Sequence, residues 1–260
     1  MRDMKKLGQA QPLAKVVADL EKLLNHTAVT DWSQAMNGLQ VANSGQIHRI
    51  GATVDASEAT LALAAKAGVD FLLVHHGLFW NGLQAVTGPA YRKLKLAFDA
   101  DMAVFSSHLP LDLHPKLGNN AQLAQALGFQ KPEPFLMLKG SPIGFKARLA
   151  LDRDALVQRL QTVVGGTVKL IAGGPKRTKV VGVVSGGAGG ELAEAASEGV
   201  DTYITGEASH ECYAAAEELG VNLLFAGHYA TETFGVKALA AYLSKKYRLP
   251  WEFIDHPTGL

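Results

Sequence analysis

The stretch TLALAAKAGVDFLLVHHG, Thr60–Gly77, has a second version in the same chain, ELAEAASEGVDTYITGEA at Glu191–Ala208. Seven of the first 11 positions are identical. Each version joins an alanine-rich helical pattern through Gly-Val-Asp to a short apolar run, which is typical of a buried strand. Another helical pattern and another strand follow each version, ending in SSHLPLD and FAGHYATE. This shared order of elements predicts an internal duplication of one α/β unit.

Helical and β-rich patterns alternate along most of the chain. Strands are predicted at residues 49–54, 71–74, 103–106, 146–151, 168–171, 180–184, 202–205 and 223–226. Helices are predicted at residues 13–24, 58–67, 91–99, 121–127, 154–163, 191–198, 211–219 and 232–246. Such alternation predicts βαβ units with mainly parallel strands covered by helices. The expected fold class is therefore α/β, with one unit at residues 1–127 and a related unit at 128–260, which includes a small hairpin or extra strands within 128–177.

Composition narrows the class of protein. The 260 residues are 48% hydrophobic and 19% charged, which favours a globular chain over a disordered one. A net charge of +1 without a basic stripe argues against dedicated nucleic-acid binding. The single cysteine, Cys212, suits a reducing compartment. Without a signal-peptide pattern or an apolar run of 18 residues, the protein is expected to be cytoplasmic, with no membrane partner.

Side chains that bind divalent metals follow the predicted strands of both units. They are His75, His76, His108 and Asp112 in the first unit, and Glu207, His210, His228 and Glu232 in the second. Because the carboxyl ends of parallel strands meet at one edge of a sheet, these side chains are expected to share a cleft between the units. Imidazole and carboxylate together suit zinc, manganese, iron, cobalt or nickel better than calcium. Five or more such ligands favour two ions about 3.5–4 Å apart, whereas fewer would make a mononuclear site.

The adjacent histidines pose a geometric question. Neighbouring side chains on a strand point to opposite faces. Both rings can face one site only if the backbone turns. A turn at Gly77 is therefore expected to let His75 and His76 approach a metal pair, with each histidine binding a different ion.

Several features near these histidines have simpler explanations. Asp55 fits an N-cap of the following helix, with Ser57 as the alternative cap. The loop SGGAGGEL at Ser185–Leu192 permits either a backbone anion site or a tight turn that requires positive φ. The histidines outside the strand-end pattern are interpreted as ordinary: His26, His48 and His256.

Seven separated motifs, in order, carry a resemblance to a known family. They are NGLQV, VHHGLFW, HLPLD, GNNAQLA, TGEASH, GHYATE and FIDHP. Together they resemble the Nif-three-like family of dinuclear metal centre proteins, also called GTP cyclohydrolase I type-two homologues. The resemblance runs from about Asn37 to the end of the sequence, and the chain is similar to the short bacterial form, without the inserted domain of longer members.

The resemblance implies a metal site, a fold and an assembly. The implied ligands of two divalent ions per chain (zinc, manganese, iron or nickel) are His75, His76, Asp112, His228 and Glu232. His108 and Glu207 are implied to lie near the metals, where either is a candidate catalytic proton shuttle. The family fold implies two α/β domains in each chain and a ring-shaped homo-hexamer whose metal sites face an inner cavity.

Three functions stay open at this point. The first is a metal-dependent hydrolase acting on a nucleotide-like or phosphoester substrate, of which GTP ring opening is one case. The second is a non-catalytic hexameric regulatory or scaffold protein with a structural or sensory two-metal site. The third is a metal-handling protein, which weak and readily exchanged metal would favour.

Overall fold

The computed structural model describes residues 9–80, 82 and 84–260, and these form two compact units. Unit 1 contains the described residues up to Leu111 together with Val236–His256, and unit 2 contains Asp112–Gly235 together with Pro257–Leu260. Each unit has its own sheet and helices, so the predicted α/β class is confirmed. The units are groupings in space, whereas the division predicted at residue 128 is one of sequence and stays a prediction.

Strands and helices alternate through most of the described chain. The strands are β1 (Gln11–Pro12), β2 (Gly38–Val41), β3 (Gln46–Ile47), β4 (Ile50–Asp55), β5 (Phe71–His76), β6 (Ala103–Ser106), β7 (Glu133–Leu138), β8 (Ser141–Arg148), β9 (Lys169–Ala172), β10 (Val180–Val183), β11 (Thr202–Thr205), β12 (Asn222–Phe225) and β13 (Trp251–Phe253). The helices are α1 (Leu13–Leu24), α2 (Glu58–Lys66), α3 (Gly88–Asp99), α4 (Leu109–Asp112), α5 (Asn119–Ala126), α6 (Arg153–Val164), α7 (Leu192–Ser197), α8 (Cys212–Leu219) and α9 (His228–Tyr247). Short 3₁₀ turns lie at His26–Ala28 and Gly189–Glu191.

The main sheet of unit 1 has the strand order β13-β4-β5-β6-β2. Strands β13, β4, β5 and β6 run parallel, and β2 closes the edge antiparallel to β6. The register pairs Val74 with Ser106, so the carboxyl ends of β5 and β6 lie side by side. Residues that follow these two ends are therefore neighbours in space.

Burial on both faces fixes the central strand of unit 1. In β5, the apolar residues Phe71 to Val74 are each at most 2% exposed. A fully buried side chain of this size contributes about 1.5–3 kcal/mol to stability. Helix α2 begins at a capping box, in which the Ser57 hydroxyl accepts from the Thr60 amide at 3.1 Å and the Thr60 hydroxyl accepts from the Ser57 amide at 2.9 Å. The strand that ends in the adjacent histidines is therefore held by core packing, and the helix before it has a defined N-terminus.

Unit 2 contains a sheet with the order β7-β8-β10-β11-β12-β9. Its centre, β10-β11-β12, is parallel, and β8 and β9 flank it antiparallel. Strands β7 and β8 form the hairpin expected between the repeats, turning at Lys139 and Gly140 with φ of 49° and 84°. The register pairs Thr205 with Phe225, which brings the carboxyl ends of β11 and β12 together.

Both units contain a parallel three-stranded centre whose strands are joined by helices. In unit 1 the order is β4-α2-β5-α3-β6, and in unit 2 it is β10-α7-β11-α8-β12. The order matches the repeated sequence pattern, although the duplication itself stays a prediction. Within the described ranges, no helix is both long enough and apolar enough to cross a membrane.

Candidate metal centre

Three histidine rings cluster at the carboxyl ends of β5 and β6 in unit 1. The ring centroid of His75 lies 4.8 Å from that of His76 and 4.9 Å from that of His108, and His76 and His108 are 5.6 Å apart. Each residue offers a ligand nitrogen, and the three nitrogens lie within 4.8 Å of one another. His75 is fully buried and His108 is 8% exposed. The cluster therefore forms a compact, largely buried set of imidazole donors.

An oxygen acceptor contacts Nδ1 of each ring. His75 Nδ1 lies 3.0 Å from the backbone oxygen of Ser107. His76 Nδ1 lies 2.8 Å from Oδ1 of Asp55, and His108 Nδ1 lies 2.8 Å from Oδ1 of Asp31. Because carbonyl and carboxylate oxygens accept hydrogen bonds, each Nδ1 carries the proton, which places the coordinating lone pair on Nε2. Metal-binding histidines in proteins are oriented in this way.

The carboxylate partners differ from the sequence-based expectation. Asp55 does not cap α2, because Ser57 does; Asp55 instead pairs with His76. Asp31 was not expected at the site, and its loop carries no pattern that would have indicated it. Burial alone would raise the pKa of Asp31, but hydrogen bonds, chiefly from His108 and Asn37, hold that pKa below its usual value. Asp31 therefore acts as a carboxylate acceptor.

The adjacent histidines both belong to the strand, so no backbone turn separates them. His76 is the last residue of β5 and still pairs in register with Asp55 of β4. The two rings nevertheless approach at the end of this strand, where their centroids lie 4.8 Å apart. A Cβ on Gly77 would lie 2.2 Å from the amide group of Gln40, so a larger residue here would displace that group, which accepts from the Leu78 amide at 2.7 Å.

Asp112, a ligand candidate of unit 2, is held by two polar side chains. Its Oδ1 accepts from Nδ2 of Asn119 at 2.7 Å and contacts the Ser185 hydroxyl at 3.4 Å. Asp112 is 7% exposed and Asn119 is fully buried. The motif GNNAQLA, which supplies Asn119, thus orients a buried carboxylate.

A histidine–carboxylate cluster in unit 2 follows β11 and β12 and begins helix α9. His228 Nδ1 lies 2.9 Å from Oε1 of Glu207, and His228 Nε2 lies 3.1 Å from Oε1 of Glu232. Glu232 is 3% exposed, whereas the Glu207 side chain is half exposed. Burial would lower the pKa of His228, but the two carboxylates favour the imidazolium and raise the pKa to about 9. A metal that binds His228 would therefore displace a proton at neutral pH.

The glycine-rich loop serves as a tight turn beside this cluster. Gly186 has a φ of 69°, and a Cβ there would lie 2.5 Å from Oε1 of Glu232. The amides of Gly186 and Ala188 donate to the hydroxyls of Thr231 and Thr205 at 3.0 and 3.2 Å. Because side chains of unit 2 use these donors, the structure favours the turn over an anion site.

These donors fit divalent transition metals. Unit 1 brings His75, His76 and His108 together, and unit 2 contains a His–Glu pair and a separately held Asp112. Imidazole with few carboxylates suits zinc, manganese, iron or nickel. His210, which the strand-end pattern also indicated, is exposed in the turn before α8. The structure thus supports a capacity to bind divalent metal.

A cavity of about 300 Å³ opens beside Glu207 in unit 2. Lys169, at the start of β9, contributes a cationic side chain, and Phe225, at the end of β12, contributes an aromatic ring. The rest of the lining includes Gly206 and Gly227, which follow β11 and β12. The cavity lies at the carboxyl ends of parallel strands, where α/β sheets commonly bind ligands.

Comparisons with a family model and with individual proteins find relatives that match most of the chain. A family model described as Duf34/NIF3 (NGG1p interacting factor 3) matches residues 12–258. A Deinococcus radiodurans protein named GTP cyclohydrolase 1 type 2 homolog is 44% identical over 228 residues, covering 87% of each chain. A Pyrococcus horikoshii protein of the same name is 41% identical over 252 residues, covering 95% of this chain and 98% of the relative.

A solved structure shares the fold. The crystal structure of the protein TTHA1606 from Thermus thermophilus is 36% identical and aligns with a TM-score of 0.88. The alignment covers 96% of this chain and all of the other. The similarity therefore extends over both α/β units.

Proposed function

This chain belongs to the Duf34/NIF3 family, and on that premise we propose that it is a dinuclear metal-dependent hydrolase acting on a nucleotide or another phosphoester. The observation that carries the proposal is the support of three imidazoles by oxygen acceptors at Nδ1, an arrangement typical of metal ligands. The ligands of two divalent ions (zinc, manganese, iron or nickel) are proposed to be His75, His76, Asp112, His228 and Glu232.

The metals and the protein would have separate tasks in this reaction. A bound divalent ion lowers the pKa of water to about 7 and so makes hydroxide available at neutral pH. Glu207 or His108 would carry protons between the substrate and solvent. Glu207 is half exposed and bonded to His228, while His108 is buried and bonded to Asp31.

The cavity beside Glu207 supports a small anionic substrate. Its volume of about 300 Å³ suits a nucleotide-sized molecule. The ammonium of Lys169 would attract a phosphate, and the ring of Phe225 would contact a planar base. GTP ring opening, which the names of the relatives suggest, is one reaction of this class.

A screen of metal-loaded protein against nucleotides, phosphoesters and cyclic amides tests the proposal. We expect hydrolysis of at least one compound, loss of that activity after chelation, and recovery on adding manganese or zinc. Activity that survives complete metal removal, or no hydrolysis by a fully metal-loaded sample, would contradict the hydrolase.

A non-catalytic role is the second candidate. The family description itself names an interacting factor, which favours a hexameric regulatory or scaffold protein with a structural or sensory two-metal site. Such a protein would bind metal but hydrolyse none of the compounds in the screen. A metal handled as cargo would instead exchange rapidly and be held weakly.

We further propose that the chain assembles as a homo-hexamer, as the family resemblance implies. Light scattering of the purified 27.6 kDa chain is expected to report roughly six times that mass, in line with closed symmetric association. A stable monomer at micromolar concentration would contradict the hexamer and leave metal binding unaffected.

The proposed location is the cytoplasm. Cys212 is the only cysteine in the sequence and is buried, so the described fold has no disulfide to protect from reduction. A fold without disulfides suits a reducing compartment. Fractionation of native cells with an antibody against the protein tests this location.

A further inference from the structure

The cavity beside Glu207 has one cationic side chain among its described lining residues, Lys169. We propose that Lys169 and Thr167 bind a phosphate group that stays attached to the substrate throughout the reaction, so that the substrate class is a nucleoside monophosphate. The inference deepens the proposed function and rests on it in taking this cavity as the substrate site. It assigns the phosphate to side chains of unit 2 rather than to a metal ion.

Strands β9 and β12 bring the binding groups together. Their antiparallel register places Lys169 directly opposite Phe225, so the two side chains lie on the same face of the sheet. Thr167 lies two residues before Lys169, which is the spacing at which side chains of an extended chain return to one face, and all three residues line the cavity. An ammonium and a hydroxyl can both donate to a phosphate, and the neighbouring ring offers an apolar surface to a planar base.

The ammonium of Lys169 is not committed to a carboxylate of the protein. Lys169 is exposed, and within the described ranges no carboxylate forms an ion pair with it. Lys146 of the same unit is by contrast bound to Glu198 at 3.0 Å. A cation without a carboxylate partner, set beside an aromatic ring in the lining of a cavity, attracts an anionic group from solvent.

Glu207 limits where a phosphate can lie in this cavity. Its carboxylate is held by Nδ1 of His228 at 2.9 Å and borders the same space. Because like charges repel more strongly in a partly enclosed site than in bulk water, the phosphate is favoured near Lys169 and disfavoured near Glu207. The uncharged part of the substrate then points toward Glu207, the candidate proton carrier. A cavity of about 300 Å³ is at the small end of ligand sites, which favours one phosphate group over three.

Calorimetric titration of the full-length protein tests the inference without relying on activity. The probes are GMP and guanosine, which differ only in the phosphate, and each is added to metal-free and to manganese-loaded protein. Metal-free wild type is expected to bind GMP about 10–100-fold more tightly than guanosine, the difference that charge-assisted hydrogen bonds to one phosphate produce. The preference is expected without metal because Lys169 and Thr167 are side chains of the protein itself.

Matched variants assign the preference to Lys169. Lys169→Gln is expected to weaken GMP binding to the level of guanosine and to leave guanosine binding unchanged, whereas Lys169→Arg keeps the positive charge and most of the preference. Phe225→Leu should weaken both probes alike, since the ring contacts the base that they share. Lys179→Gln removes an exposed cation of unit 2 outside the cavity lining and should change neither affinity.

The outcomes separate this inference from the proposed function. Equal binding of GMP and guanosine by metal-free wild type, including no binding of either, would contradict the inference, and so would an undiminished preference in Lys169→Gln. A preference that appears only with manganese would show that a metal holds the phosphate, which also overturns it. If the metal-free protein shows no thermal unfolding transition, the Lys169→Gln comparison in manganese-loaded protein decides instead. If GMP binds as expected but the screen finds no hydrolysis, only the hydrolase is contradicted.

Discussion

Replacing Glu232 with glutamine is expected to lower the metal content of the purified protein from about two divalent ions per chain to about one. Glu232 is nearly fully buried, and its Oε1 lies 3.1 Å from Nε2 of His228. An amide of the same shape keeps the packing but removes the negative charge that a divalent ion needs. Elemental analysis of protein prepared without chelator measures the change.

An exposed carboxylate of the same unit provides the control. Glu218→Gln, in α8, changes charge by the same amount away from the cluster and should leave the metal content at the wild-type value. An unchanged metal content in Glu232→Gln would remove Glu232 from the ligand set.

The sequence predicts elements well where one local pattern determines them. Helix α1 begins and ends at the predicted residues, because its apolar spacing is regular, and β6 and β11 also have the predicted bounds. Strands β2 and β13 were missed. Both are short edge strands of the unit 1 sheet, and their pairing with β6 and β4 is decided by tertiary contacts that no local pattern reveals.

The start of helix α9 shows a second limit of local patterns. The helix was predicted from Glu232 but begins at His228. The first turn contains a glycine-flanked histidine and no local N-cap signal, so the apolar spacing alone placed the boundary one turn too late. In the structure this turn carries both His228 and Glu232, and the four-residue spacing brings them to the same face.

At the candidate site, the sequence predicts the ligand candidates but not the residues that orient them. Histidines and acids at strand ends are visible in the sequence, because a strand end fixes where its next residues lie. Asp31 is not visible, since it lies 77 residues from His108 in an irregular loop. Asp55 was visible but had a credible local role as a helix cap, which Ser57 performs instead. Residues that orient a ligand candidate through tertiary contacts could therefore be identified only from the structure.

Glu207 is the residue whose replacement is expected to affect turnover most without removing metal. Its Oε1 accepts from Nδ1 of His228 at 2.9 Å, and the side chain borders the cavity that contains Lys169 and Phe225. Glutamine at position 207 can still accept that hydrogen bond through its amide oxygen, so His228 keeps its orientation. It cannot take up or release a proton, so turnover is expected to fall roughly 10²–10⁴-fold while metal content stays unchanged.

Alanine at position 207 separates the two tasks of this carboxylate. Glu207→Ala removes both the proton carrier and the partner of His228, so metal affinity in unit 2 should also fall, by about 10–100-fold. The measurement pairs steady-state rates on the substrate found in the screen with metal titration of each variant. Normal turnover by Glu207→Gln would show that Glu207 only positions His228. Loss of metal by Glu207→Gln would show that the charge of Glu207, rather than its hydrogen bond, holds the site together.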